Sequence, residues 1–261
     1  MQAQVTRLLR DGKIDIFIGY KDFDGHIIPH CFTSDKLDEI KNLQSGREHY
    51  ALEKVATKIA AEYPDLKIGL LLARKCNQQA LNVLYVWNQL DPERIEILDD
   101  SNNLIELSES GEGDLPFKKE IGLNKNLMPK DLEGHSQAEL FSRWMYEFSK
   151  CIKCYGCRNI CPVCFCKECS LEHKELVNPG RLPPEVPIFH LVRATHMAGR
   201  CIDCGLCEEA CPAHIPLRLL YRKVGEIVSD LFAYETGKSL EQSPFSVLGD
   251  KVVLEPKPIN E

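Results

Sequence analysis

Cys151, Cys154, Cys157 and Cys161 follow the spacing C-x2-C-x2-C-x3-C and are followed by Pro162. Cys201, Cys204, Cys207 and Cys211 repeat it, again with a proline, Pro212, directly after. Thiols at this density, in a chain that is neither short nor marked for secretion, call for metal rather than disulfides. Three thiolates two residues apart wrap one tight loop round a face of an iron–sulfur cubane. Backbone amides of that loop can then point at the cluster sulfurs, while the fourth cysteine, ahead of proline, starts a new segment. Zinc normally uses paired C-x2-C knuckles, which this pattern fits poorly. The expected cofactors are therefore two 4Fe-4S clusters, and the expected chemistry is passing electrons.

In bacterial-type two-cluster folds the fourth cysteine of each motif ligates the cluster of the other. The expected sets are Cys151, Cys154, Cys157 and Cys211 for the first cluster, and Cys201, Cys204, Cys207 and Cys161 for the second. Crossed ligation holds both clusters in one rigid unit, so an electron can hop between them. Lys153 and Arg158 beside the first motif, against Asp203, Glu208 and Glu209 beside the second, point to unequal potentials with the first cluster higher. Three more cysteines, Cys164, Cys166 and Cys169, follow the first motif at once. They are candidates for a third metal site, zinc or a third cluster, with a fourth ligand from His173, Cys31, Cys76 or a partner. The alternative is that they are spare thiols around the first cluster.

Eleven of the 13 cysteines lie between Cys151 and Cys211, so the metal region is one part of a longer chain. Among 261 residues the net charge is −7, with both signs interspersed. This speaks against a nucleic-acid partner, which would want a basic face. No apolar run reaches the ~20 residues of a membrane helix, and the N-terminal stretch lacks the apolar centre of a signal peptide. No direct membrane insertion and a cytoplasmic location are expected.

The elements that must position these motifs read as an α+β chain, a small N-terminal α/β domain followed by a mostly helical bacterial-ferredoxin-type dicluster domain. Val5 to Arg10 reads as a short helix, and Lys13 to Tyr20, rich in isoleucine, as a strand entering a turn. His26 to Phe32 reads as a strand kept to an edge by Pro29. His49 to Tyr63 has helical periodicity closed by Pro64. Lys67 to Leu72 is a continuous apolar run, as in a strand covered on both faces. A helix over Ala80 to Leu90 and a strand over Arg94 to Leu98 complete a parallel or mixed sheet. Residues 99–134 are polar and turn-rich, a linker or partner-binding arm. Ser136 and Glu139 form a capping box for a helix leading into Cys151. Pro179 to Pro187 makes a stiff loop, His190 to Gly199 a helix feeding the second motif, and Leu217 to Tyr234 a long amphipathic helix. The expected divisions are 1–98, 99–134, 135–234 and a C-terminal tail over 235–261.

With these residues set out, the second motif and its flanks, His190 to Cys201 and on through Ile215 to Arg218, resemble dicluster subunits of anaerobic oxidoreductases. These accompany formate dehydrogenases and heterodisulfide reductase systems. Leu8 to Tyr20 resembles the start of the beta-subunit family of formate dehydrogenase and the deazaflavin-reducing hydrogenase. At Arg74 to Gln79 that family usually shows a Gly-Cys-Asp-like stretch; here Lys75 and Asn77 flank Cys76. The resemblance implies an electron-transfer subunit of a cytoplasmic oxidoreductase complex, relaying electrons between a catalytic subunit and another redox subunit, and no catalytic residue is carried over. The catalytic partner could be formate-dehydrogenase-like, heterodisulfide-reductase-like or another. The alternative is a flavin-containing subunit that itself reduces a soluble carrier, with FAD near Gly19, Gly25 and Gly69. Turn and packing roles explain those glycines more simply.

Overall fold

The computed structural model describes residues 1–45, 50–72, 75–99, 104–105, 134–178, 181–182 and 185–246. It divides into two compact units. One comprises 1–119 with 237–242, the other 120–236 with 243–261.

The first unit opens with α1 (Gln2–Arg10), followed by β1 (Ile16–Phe23) and β2 (His26–Thr33). Asp24 and Gly25, both with positive φ (52° and 82°), join these strands as a two-residue hairpin. That mirror-image turn matches the right-handed twist of the strands and favours Asp-Gly. It carries β1 three residues past the expected end at Tyr20. A 3-10 stretch over Ser34–Asn42 leads to the short β3 (Leu43–Gln44), then to α2 (Leu52–Glu62) and β4 (Ile68–Leu72). After these come α3 (Lys75–Val86), β5 (Ile95–Asp99) and β6 (Leu104–Ile105).

The sheet runs β2-β1-β4-β5-β6, with β3 also on β1. β1, β4 and β5 are mutually parallel, while β2 and β6 close the two edges antiparallel. Pro29 lies on edge strand β2, where its missing N–H costs no ladder bond. β4 is buried at every position, in keeping with its unbroken apolar sequence. Helix α3 starts five residues before the expected Ala80, because Asn77, Gln78 and Gln79 hide the first turn from a reading of apolar periodicity. Asn88, at φ 53°, follows the helix where the expected pattern ran on to Leu90.

Two expectations about chain organisation change. β6 lies beyond residue 98 and pairs with β5, so the sheet continues into the stretch read as a linker; residues 106–133 of that stretch lie outside the described residues. Within the expected tail, 237–242 belong to the first unit. The buried Asn82 Nδ2 on α3 donates to the Gly237 carbonyl at 3.0 Å. Gly237 has φ 73°, and a Cβ there would stand 2.6 Å from the Gln79 carbonyl oxygen. Gly237→Ala is therefore expected to destabilise this unit by about 1–3 kcal/mol, since backbone cannot yield as a side-chain tip can. Its denaturation midpoint should fall with an unchanged m-value.

The described residues from 134 onward form α4 (Gln137–Ser149), α5 (Gly156–Asn159), α6 (Ile188–His196), α7 (Leu206–Glu209) and α8 (Leu217–Phe232), with no strand among them. Ser136 caps α4: its hydroxyl accepts from the Glu139 amide at 3.3 Å, and the Glu139 carboxylate accepts from the Ser136 amide at 2.7 Å. Leu171, Val177 and Phe189 form a small core against which Cys151, Tyr155 and Cys169 pack. α6 and α8 pack on each other, and α8 also packs on α7.

Candidate metal centre

Each cysteine motif folds as a loop leading into a single helical turn, and the two loops have the same backbone. Lys153 and Tyr155 in the first, Asp203 and Gly205 in the second, all have positive φ (49°, 57°, 55° and 81°). For three non-glycine residues this is a strained choice, costing on the order of 1–3 kcal/mol each, and such choices gather at functional loops. The conformation turns amides inward. Lys153 N donates to Cys151 Sγ at 3.3 Å and Gly156 N to Cys154 Sγ at 3.4 Å. The Asp203 amide does the same for Cys201.

The two turns, α5 and α7, pack together. A Cβ on Gly156 would stand 3.1 Å from the Ala210 carbonyl oxygen, so the first loop closes directly onto the segment that precedes Cys211. That approach puts the last cysteine of each motif beside the first three of the other. One cavity is lined by Cys151, Cys154, Cys157 and Cys211, together with Tyr155, His190 and Ile215. The other is lined by Cys161, Cys201, Cys204 and Cys207, together with Arg193, Met197 and Tyr221.

These cavities suit clusters on grounds other than cysteine count. Burial, with the neighbouring thiols adding to it, pushes Cys151 up to about 11 and Cys201 up to about 12, and raises Cys157 and Cys207 as well. Thiols this close together and largely shielded from water cannot ionise together unless a cation holds them. Buried polar groups also lack partners. Both ring nitrogens of His190, the Tyr221 hydroxyl and Arg193 Nε have no protein partner among the described residues, and each of these side chains lines one of the two cavities. Unpartnered buried donors are costly, and cluster and thiolate sulfurs would answer them. His190 is pressed between Phe148, stacked at 4.7 Å, and Phe189 at 5.2 Å, and burial lowers it to about 4. Burial likewise holds Tyr221 well above its ordinary value, so its hydroxyl keeps its proton. Neither His190 nor Tyr221 stands out from the motif spacing in sequence. The signal for both is that they lie on the helices adjoining the second motif.

Cys164, Cys166 and Cys169 are each placed against an arginine. Arg193 Nη1 lies 3.7 Å from Cys164 Sγ, Arg200 Nη1 lies 3.4 Å from Cys166 Sγ, and Arg158 donates to Cys169. His173 ends a 3-10 turn over Ser170–Glu172. Among the described residues no three His, Cys, Asp or Glu side chains converge on a point that one metal ion would occupy. This holds for the eight motif cysteines too, as expected where a cubane spreads its thiolates further apart than a single ion does. Cys31 lies on β2 and Cys76 on α3, both in the first unit.

Three of the charges flanking the motifs face opposite charges. Lys153 pairs with Glu185 at 3.2 Å and Arg158 with Glu172 at 2.6 Å. Asp203 accepts from both Arg218 and Arg222, each at 2.7 Å. Glu208 accepts from the Arg218 amide at 3.2 Å. A count of neighbouring charges along the sequence therefore leaves out the charges that face them.

Of the glycines that would admit a flavin, Gly25 makes the hairpin. A Cβ on Gly19 would stand 2.6 Å from Leu43 Cδ1, and one on Gly69 2.6 Å from both Ile14 Cδ1 and Phe17 Cδ2. These two serve packing.

Residues 194–216, the second motif with its flanks, match the 4Fe-4S binding domain family. A stretch of 117 residues, 45% of the chain, is 40% identical to "F420-dependent formate dehydrogenase subunit beta" of Methanocaldococcus jannaschii. Another of 101 residues, 39% of the chain, is 44% identical to "F420-dependent formate dehydrogenase 1 subunit beta" of Methanococcus maripaludis. The chain spans less than a third of these relatives, 30% of the first and 26% of the second. Among the described residues no helix is long and apolar enough to cross a membrane. Residues 194–216 are thus matched as a 4Fe-4S binding domain, and the similarity to formate dehydrogenase beta subunits extends over nearly half of the chain.

Proposed function

We propose that this chain is the electron-relay subunit of a cytoplasmic anaerobic oxidoreductase complex, carrying current between a catalytic subunit and a second redox subunit. Cys151, Cys154, Cys157 and Cys211 hold one 4Fe-4S cluster; Cys161, Cys201, Cys204 and Cys207 hold the other. The observation that carries this reading is the pair of cavities, each lined by three cysteines of one motif and the last cysteine of the other. A bound cubane supplies reversible one-electron chemistry without a substrate site. The protein's part is to fix the cubanes side by side, to direct amides and buried donors at their sulfurs, and to keep water away. Cys154 is the exposed member of the first set, while Cys157, Cys161, Cys207 and Cys211 are buried. The first cluster is accordingly the one a partner approaches most closely. The named relatives point to a formate-oxidising catalytic partner and to F420 as the carrier served by the complex.

Anaerobic purification of the full chain from its native source tests this. It is expected to bring down a catalytic subunit and a further redox subunit, with the iron–sulfur absorbance bleached by the substrate of that complex. A chain that purifies alone, or whose clusters stay oxidised while the complex turns over, would overturn the proposal.

A further inference from the structure

Arg193 is the feature of the metal centre that the relay does not by itself require. It lies on α6 and is 3% exposed. Nη2 donates to the Cys157 carbonyl at 2.9 Å and Nη1 approaches Cys164 Sγ at 3.7 Å. The guanidinium lies 5.8 Å from the centre of the Tyr221 ring. Among the described residues no carboxylate pairs with it, and its Nε has no partner. Lys153, Arg158, Arg218 and Arg222 differ in this respect: each faces a carboxylate.

A guanidinium stays charged, and burying one without a counter-ion is costly. Its location points to what answers it. The side chain lines the cavity of Cys161, Cys201, Cys204 and Cys207, as does the Tyr221 hydroxyl, which also lacks an acceptor. The first cavity has an imidazole, His190, in place of this pair. A thiolate-ligated cubane is an anion that becomes more negative on reduction, and net charge and hydrogen bonds to sulfur set its potential. In a low-dielectric site a fixed cation favours the more negative state.

We infer that Arg193 is a positioning residue that raises the potential of the cluster at Cys161, Cys201, Cys204 and Cys207 above that of its neighbour. The inference rests on the cluster assignment proposed above. An electron supplied by a reduced partner subunit then moves downhill from the first cluster to the second. One electron leaves the first and one arrives on the second, with no bond made or broken.

The test is an anaerobic EPR-monitored redox titration of the full chain with dithionite as reductant. The two signals are assigned by Cys154→Ser, which perturbs the first cluster, and Cys204→Ser, which perturbs the second. In the wild type the second cluster is expected to be reduced first; its being reduced last overturns the inference without needing any Arg193 variant. In Arg193→Met the equilibrium constant for reducing the second cluster should fall about tenfold, which is about 59 mV for a one-electron couple. The first cluster should shift less, and Arg193→Lys should restore most of the change. An Arg193→Met protein with both clusters and unshifted potentials, or one shifted equally at both, removes the inference and leaves the relay standing. A wild-type chain that assembles no cluster removes both.

Discussion

Replacing Cys161 with alanine is expected to abolish the cluster of the second motif and leave that of the first intact. In sequence Cys161 completes the first motif, but its thiol lines the cavity of Cys201, Cys204 and Cys207. The geometry behind this is the approach of Gly156 to Ala210, which interleaves the two half-motifs. Losing even an outer-shell partner typically costs a metal site 10–100-fold in affinity. Losing one of four anchors should therefore cut occupancy of the second site by about tenfold or more, and the iron content of the purified chain by about half. The reciprocal change, Cys211→Ala, should spare the second site and empty the first. EPR of the reduced proteins separates the two cases: with no neighbour to couple to, each variant shows the signal of its one remaining cluster, and the two signals differ. If Cys161→Ala instead removed the signal that depends on Cys151, Cys154 and Cys157, ligation would run within each motif and the cavity assignment would fail.

The eight cysteines were legible because their chemistry is written in spacing: x2 and x3 gaps encode a loop and a turn, and proline marks the break. What surrounds them was not legible, because it is assembled from residues distant along the chain. His190 and Arg193 sit one helical turn apart on α6, yet one lines the first cavity and the other the second. Nothing in the local sequence says which histidine or arginine will be buried without a partner. The charge comparison is incomplete for the same reason. Lys153 and Asp203 are neighbours of their motifs in sequence, but Glu185 and Arg218 neutralise them from elsewhere. Sequence proximity counts charges and overlooks their partners.

In the first unit, β4 was legible from its five consecutive buried apolar residues, and Pro29 placed β2 on an edge. The full length of β1 was missed although its signal was present. Asp24-Gly25 is a strong two-residue hairpin cue, but the charged Lys21 and Asp22 interrupt the apolar run ahead of it. β6 has only two residues, too few for any periodicity. The placement of 237–242 with the first unit involves a buried hydrogen bond and a glycine against α3, contacts that no pattern in that stretch announces.

Phe17 shows how such packing can be tested directly. It is fully buried on β1 and pairs in parallel register with Gly69 on β4. Phe17→Ala is expected to destabilise the unit by about 3–5 kcal/mol, a large fraction of the roughly 5–15 kcal/mol that holds a domain folded. A denaturation midpoint shifted far down at constant m would register it. The glycines beside it make the test sharper. A Cβ on Gly69 would stand 2.6 Å from Phe17 Cδ2, and one on Gly19 3.1 Å from Phe17 Cε1, so the ring occupies the space that a side chain at either position would need. Gly69→Ala alone should therefore cost about 1–3 kcal/mol through overpacking. In the Phe17→Ala background the added methyl enters the vacated space, and the same change should cost less or become favourable. The coupling should lie in the range of about 0.5–3 kcal/mol found for residues in contact. Strict additivity would mean that Ile14, whose Cδ1 stands at the same 2.6 Å, rather than the Phe17 ring selects glycine at this position. Coupling of the expected sign ties Gly69 to the aromatic core.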